Sequence, residues 1–168
     1  MEVLESIKKR TTTREYLDKA ISKDDLRDIL EAGRVSPSAM NSQAWKFIVV
    51  DDKENLKKLA SLTTSGPHIA DSGLTIALTV RRGSWSRFDV GRAAQQMALV
   101  AWSRKIGSGM VGGWKEEARE FLSVPEGWEL VGCMAFGYVK DGEKKGVKRR
   151  KPLEEVTAHR RFDQKLEL

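Results

Sequence analysis

The sequence predicts an α+β fold in which a small sheet is flanked by helices. Two observations lead to this prediction. Short apolar runs with strand-type residues, at 46–50, 74–80 and 130–139, are separated by segments with helical periodicity. These segments do not follow the regular strand–helix–strand period of a parallel sheet. The 168 residues, 40% of them hydrophobic, suffice for a single domain that spans residues 1–168.

The first half of the chain carries two helical segments and one strand. Ser22 and Asp25 resemble a capping box, and the apolar residues that follow lie on one helical face. Gly33 is placed to end this helix. Residues 46–50 form a β-rich run, and residues 54–62 return to helical spacing.

The second half repeats this alternation. Residues 74–80 are rich in β-formers. Between Val90 and Ala101 the apolar residues recur at i, i+3, i+4 and i+7, which predicts a helix. Residues 114–122 predict a short helix that stops before Pro125. Residues 130–139 are the most apolar run and predict a central strand.

Composition excludes several classes of protein. No apolar run is long enough to span a membrane, and the N-terminus lacks the features of a signal peptide, so a cytoplasmic location is expected. The net charge of +6 comes without a nucleic-acid-binding motif, so no nucleic-acid partner is expected. Cys133 is the only cysteine and is predicted to be a small core residue. His68 and His159 are predicted to be surface or loop residues, and no metal site is expected.

Basic residues cluster in two places. Arg10, Thr12 and Arg14 have even spacing, so in an extended segment they would share one side. Arginine offers paired donors that match phosphate oxygens, although a solvent-exposed helix end is an equally good interpretation of this segment alone. Further along, six of the eight residues from 144 to 151 are lysine or arginine.

Two other segments offer neutral hydrogen-bonding groups. Pro37 disfavours the α conformation at Ser36, so the preceding helix must have ended before it. The residues that follow, Ser38, Met40, Asn41 and Gln43, offer backbone and amide groups that suit a flat heterocycle, or form an ordinary polar turn. Residues 106–113 contain four glycines and are interpreted as a loop after a long helix, not as a Rossmann or P-loop motif. Together, the cations and neutral groups suit a phosphorylated cofactor that carries a ring.

Four motifs, in this order, resemble those of the nitroreductase family of flavin-dependent oxidoreductases. Residues 10–16 read Arg-Thr-Thr-Thr-Arg-Glu-Tyr, where the family has Arg-Arg-Ser-x-Arg-x-aromatic. Residues 37–45 read Pro-Ser-Ala-Met-Asn-Ser-Gln-Ala-Trp, with alanine for the second proline of the family motif. Residues 105–112 resemble its Gly-Leu-Gly-Ser-x-x-x-Gly motif, and residues 148–155 match Lys-x-Arg-Lys-Pro-Leu-Glu-Glu.

The resemblance implies a nitroreductase-like α–β sandwich with a mostly antiparallel sheet, an intertwined homodimer, and FMN bound at the dimer interface. It also implies three groups of cofactor-binding residues. The first lies at the phosphate and ribityl end and consists of Arg10, Thr11, Thr12, Lys148 and Arg150, with Arg14 at the pyrimidine edge. The second comes from the partner subunit and consists of Ser38, Met40 and Asn41, and the third is the backbone of Met110, Val111 and Gly112 beside the ring, with an N–H near flavin N5.

The implied function is hydride transfer from NAD(P)H through flavin N5 to a nitroaromatic, quinone or similar acceptor, by a ping-pong mechanism. No side-chain acid, base or nucleophile is required, and Arg14 would stabilise the reduced flavin electrostatically. A flavin-binding redox sensor without efficient turnover, a reductive dehalogenase and a flavin-degrading enzyme remain as alternatives. The short connection from 81 to 88 predicts an open site and leaves the acceptor undetermined.

Overall fold

The architecture is that of an open, four-stranded antiparallel sheet with helices on both faces. The computed structural model describes residues 3–83, 85–140 and 149–167. Its helices and strands, in chain order, are α1 (Val3–Lys9), α2 (Lys23–Arg34), β1 (Trp45–Val50), α3 (Lys53–Ser61), β2 (Leu74–Arg81), α4 (Ser86–Ser103), β3 (Ile106–Val111), α5 (Glu117–Phe121) and β4 (Trp128–Tyr138). Short 3₁₀ turns cover Ala39–Asn41, Pro67–Ile69 and Leu153–Glu155.

The strand order is β1-β2-β4-β3, so the glycine-rich segment forms one edge of the sheet and β1 forms the other. β4 is internal, which confirms the predicted central strand. All three pairings are antiparallel, and one row across the sheet joins Ile48, Ala77, Cys133 and Val111. The predicted α+β class is confirmed.

Two apolar layers hold the sheet. On one face, α2 and α4 pack against alternate residues of β2, with Ile29 and Met97 fully buried between them. On the other face, α3 packs through Leu56 and Leu59. Cys133 lies in this second layer with no exposed surface, and burial raises the pKa of its thiol, so the predicted core role is confirmed.

The predicted start of α2 is confirmed, but its end differs from the prediction. Ser22 caps the helix by accepting a hydrogen bond from the Asp25 N–H at 3.0 Å. Gly33 does not end the helix, which continues to Arg34. Gly33 is buried against α4 instead, where an added Cβ would lie 2.0 Å from Cε of Met97.

The prediction of a glycine loop at 106–113 was wrong for most of that segment. Residues Ile106–Val111 form β3, which pairs along its whole length with β4. The glycines are there because another segment packs closely on the strand, not because the chain turns. The predicted helix at 114–122 is also shorter, covering only Glu117–Phe121.

A membrane-spanning helix would have to be long and apolar throughout. Within residues 3–83, 85–140 and 149–167, no helix meets both conditions.

Candidate functional site

Two arginines lie within electrostatic reach of each other where the N-terminal helix ends. Arg10 follows α1, is partly buried, and donates to the carbonyl of Thr11 at 2.9 Å. Its burial, and then the positive charge of Arg150, lower the pKa of Arg10. Neither guanidinium forms an ion pair with a carboxylate in the described part of the chain. Two like charges near one another without a counter-ion are a favourable place for an anion.

The segment after Arg10 runs beside the edge strand β3. Thr12 forms a parallel bridge with Ser108, and the Thr13 N–H donates to the Ser108 carbonyl at 3.0 Å. Thr13 is fully buried, whereas Thr12 and Arg14 on either side of it are exposed. The alternation predicted for an extended segment is present, and it leaves Thr12 and Arg14 open to a ligand.

Gly107 allows this close approach. A Cβ at Gly107 would lie 2.4 Å from Oγ1 of Thr13, well inside van der Waals contact. The glycine therefore lets the arginine-bearing segment lie directly on β3.

His68 lies beneath the same strand. It lies in the 3₁₀ turn Pro67–Ile69 between α3 and β2, which agrees with a loop position, but it is only 8% exposed, so the predicted surface position was wrong. Its Nε2, like Oγ1 of Thr13, has no hydrogen-bond partner among the described residues. Burial, and then the charge of Arg14, lower the pKa of His68, which favours a neutral imidazole. Nothing in the local sequence signals this burial, which arises from packing against β3 near Gly109.

The end of β3 is open on one side. The Met110 side chain is 52% exposed, whereas the Val111 side chain is buried, so only the backbone of Val111 can meet a ligand. An added Cβ at Gly112 would find no heavy atom within 4 Å. A flat group therefore has room to lie against the backbone there.

The 37–45 segment forms a strained loop. Met40, Asn41 and Gln43 have positive φ values of 52°, 53° and 45°. Such backbone conformations are costly outside glycine and persist only where contacts hold them. Oγ of Ser38 accepts from the Gln43 N–H at 3.0 Å and so closes the loop.

A buried carboxylate ties this loop to α4. Asp89 is 2% exposed, and its Oδ2 accepts from the Ala39 N–H at 3.0 Å. The loop holds Met40 almost fully in solvent, at 97% exposure.

The loop and the arginine segment belong to opposite edges of the sheet. The loop leads into β1, whereas Thr12 pairs with β3. Three inter-strand steps, roughly 14 Å, separate these edges. One region of the fold therefore holds Arg10, Thr12 and Arg150. The fold of a single chain does not bring Ser38, Met40 and Asn41 to that region. Lys148 lies outside the described residues.

Comparison with known proteins gives consistent results. The nitroreductase family matches residues 7–78 and 65–138. A protein of Archaeoglobus fulgidus, provisionally named an NADH dehydrogenase/NAD(P)H nitroreductase, is 33% identical over 152 residues, which cover 83% of this chain and 87% of that protein.

Two solved structures share the fold closely. An FMN-dependent nitroreductase from Clostridium difficile R20291 superimposes with a TM-score of 0.85 at 27% identity, covering 95% of this chain and 100% of that one. A nitroreductase with bound FMN from Bacteroides fragilis has a TM-score of 0.78 at 29% identity, covering 90% and 95% of the two chains.

Proposed function

Because the chain belongs to the nitroreductase family, we propose that it is an FMN-dependent oxidoreductase that passes hydride from NAD(P)H to a nitroaromatic, quinone or similar acceptor. Relatives named as NAD(P)H nitroreductases and as FMN-dependent support this proposal. When bound, FMN supplies the hydride-accepting N5 atom, so the protein needs to bind FMN, orient the substrates and stabilise the reduced ring, and it needs no side-chain nucleophile.

The main support for the proposal is that two positively charged residues, Arg10 and Arg150, influence each other electrostatically. Arg10 is partly buried and lies within electrostatic reach of Arg150, so its burial, and then the charge of Arg150, lower the pKa of Arg10. A phosphate between them would remove this repulsion and give each arginine a charge-assisted hydrogen bond. Thr11 and Thr12 would add neutral donors at the same end, and Lys148 would add a third cation.

Other residues fit the remaining parts of the cofactor. Arg14 is exposed, and its charge acts on the nearby His68. The family resemblance assigns Arg14 to the pyrimidine edge, where its charge would stabilise negative charge on the reduced ring. The open backbone at Met110, Val111 and Gly112 would take the ring itself.

We further propose an intertwined homodimer with both cofactor sites at its interface. Ser38, Met40 and Asn41 lie at the opposite edge of the sheet from Arg10, so one subunit alone does not assemble the full set. A second copy would bring its own loop to the arginine segment, and the strained, exposed Met40 is suited to that contact.

Donor and acceptor would use the same place in turn. The connection between β2 and α4 is short, running from Arg81 to Ser86, and it leaves the site open to flat substrates. A shared site gives ping-pong kinetics, because the oxidised nicotinamide must leave before the acceptor enters. The cytoplasmic location stays a prediction from the sequence.

Replacing Arg150 with alanine tests the phosphate assignment. We expect FMN binding to weaken roughly tenfold or more, since a hydrogen bond to a charged group contributes about 1.5–3 kcal/mol. Riboflavin, which lacks the phosphate, should bind with unchanged affinity. Titration of apoprotein with both ligands, followed by flavin fluorescence, gives the two dissociation constants.

Arg149→Ala is the matched control, because it removes an adjacent exposed arginine. It should leave both affinities within about twofold, as expected for a surface charge of small effect. Equal losses for FMN and riboflavin in the Arg150 variant would refute a phosphate site at Arg150.

A further inference from the structure

Two hydroxyl groups converge on one backbone carbonyl at the end of β3. Oγ1 of Thr63 donates to the carbonyl oxygen of Gly112 at 2.7 Å, and Oγ of Ser65 donates to the same oxygen at 2.8 Å. Both lone pairs of this carbonyl are thereby used. We call Thr63 and Ser65 the hydroxyl clamp.

The clamp is built on a segment that is itself fixed to the chain after β3. Thr63 forms an antiparallel bridge with Trp114, through bonds from Thr64 N–H to Gly113 O at 2.9 Å and from Lys115 N–H to Leu62 O at 3.0 Å. The Ser65 N–H also donates to Oγ1 of Thr63 at 3.2 Å, which orients that hydroxyl. The hydroxyls are therefore held in place before any ligand binds.

The peptide unit that carries this carbonyl also carries the N–H of Gly113. There is no cis peptide bond in the described chain, so the N–H points opposite to the clamped carbonyl and away from the clamp. Within the described residues, the Gly113 N–H donates to no protein acceptor. A carbonyl that accepts hydrogen bonds makes the N–H of its own peptide a stronger donor.

The residue that supplies the N–H of this peptide unit, Gly113, must be glycine. Gly113 has a φ of 67°, and an added Cβ would lie 2.4 Å from Oγ1 of Thr64. The backbone conformation and the close packing together set the plane of the Gly112–Gly113 peptide. Beside it, Gly112 faces open space large enough for an added Cβ to meet nothing within 4 Å.

We propose that Thr63 and Ser65 are positioning residues that orient and polarise the Gly112–Gly113 peptide, so that its N–H donates to N5 of the bound flavin. This inference rests on the proposed FMN-dependent function and adds to it a pair of side chains that act through the backbone. Electron withdrawal from N5 by this donor would favour hydride transfer to that atom.

The first test uses the apoprotein and does not depend on FMN. The double variant Thr63→Val, Ser65→Ala removes both hydroxyls with little change of shape. We expect the carbonyl ¹³C resonance of Gly112 to move upfield, because that carbon is deshielded when its oxygen accepts hydrogen bonds. Thr63→Ser, which keeps the hydroxyl, should leave this resonance near its wild-type position.

Thr64→Val is the matched control from the same loop. Oγ1 of Thr64 donates to the carbonyl of Gly113 at 3.2 Å, which belongs to the next peptide unit. This variant should therefore move the Gly113 carbonyl resonance and leave that of Gly112 in place. An unchanged Gly112 carbonyl resonance in the double variant, or an equal change with Thr64→Val, would refute the claim that the hydroxyl clamp polarises this carbonyl.

The second test uses protein loaded with ¹⁵N-labelled FMN. In the double variant the N5 resonance should move downfield, toward that of an N5 without a donor, whereas Thr64→Val should leave it unchanged. The rate of flavin reduction by NAD(P)H should fall about tenfold, less than the 10²–10³ typical when a whole donor is removed. A shifted Gly112 carbonyl with an unchanged N5 resonance would overturn the link to the flavin. Failure of the wild type to bind FMN would instead refute the proposed function, and the apoprotein test would stand.

Discussion

At the scale of single residues, burial changes the pKa of two side chains, Arg10 and His68, and the local sequence does not predict this burial. The motif at residues 10–16 identifies Arg10, and the structure adds that burial, and then the charge of Arg150, lower its pKa. His68 was not identified, because a histidine between proline and isoleucine has no pattern that predicts its environment. Its burial follows from packing against the edge strand β3 near Gly109, a contact between segments that are distant in sequence and that no local pattern predicts.

The lowered pKa of His68 predicts a pH dependence of stability. Its pKa is 6.5 in the unfolded chain and lower in the folded one, so between these values the unfolded state binds more protons. The stability of the apoprotein is then fully present above about pH 6.5 and decreases as the pH falls through the folded-state pKa. In His68→Gln, which does not titrate, this part of the decrease should be absent.

Urea unfolding of both apoproteins at several pH values, from roughly pH 7.5 to pH 5, measures this difference. We expect the free energy of unfolding of the wild type to fall relative to that of His68→Gln as the pH falls. Parallel profiles over the whole range would show that His68 is not held in its neutral form by the fold.

At the scale of elements, the sequence predicted which segments are helices and strands better than it predicted where they pair. The helical and strand segments correspond to α2, α3, α4, β1, β2 and β4. The sequence predicts a loop in place of the edge strand β3, because its glycines look like turn residues. Only the packing of Thr13 on Gly107, a long-range contact, reveals why they occur in a strand.

This packing predicts the effect of one added methyl group. Gly107→Ala should lower the free energy of unfolding of the apoprotein by about 1–3 kcal/mol, since its Cβ would overlap Thr13 and force the N-terminal segment off β3. Gly112→Ala, where an added Cβ meets open space, should change it by less than about 0.5 kcal/mol. Chemical denaturation compares the two, and equal effects would contradict the close packing of the segment on β3.

For the whole molecule, the fold class could be predicted from the sequence, but the strand order β1-β2-β4-β3 could not. Local patterns give the type of each element, whereas strand order depends on contacts between distant segments. The separation of the two groups of site residues onto opposite edges is a consequence of that order. The extent of the domain, residues 1–168, stays a prediction.

Large exposed apolar side chains predict that the protein is a dimer in solution. Phe162, Met40 and Val156 are 102%, 97% and 62% exposed in the single chain, and we expect a second subunit to cover them. Sedimentation at micromolar concentration should show only dimer. Phe162→Ser should weaken the dimer without destabilising the isolated chain, because this side chain buries nothing within it. A stable monomer saturated with FMN would contradict an interface site.

Anaerobic mixing of the FMN-loaded protein with NADH or NADPH, without an acceptor, tests the proposed function most directly. We expect the visible absorbance of the oxidised flavin to be lost within the time of a catalytic turnover with at least one donor. It should return when a nitroaromatic or quinone is then added, because donor and acceptor react in separate steps. A flavin that stays oxidised with both donors would contradict an NAD(P)H oxidoreductase and leave a protein that only binds flavin.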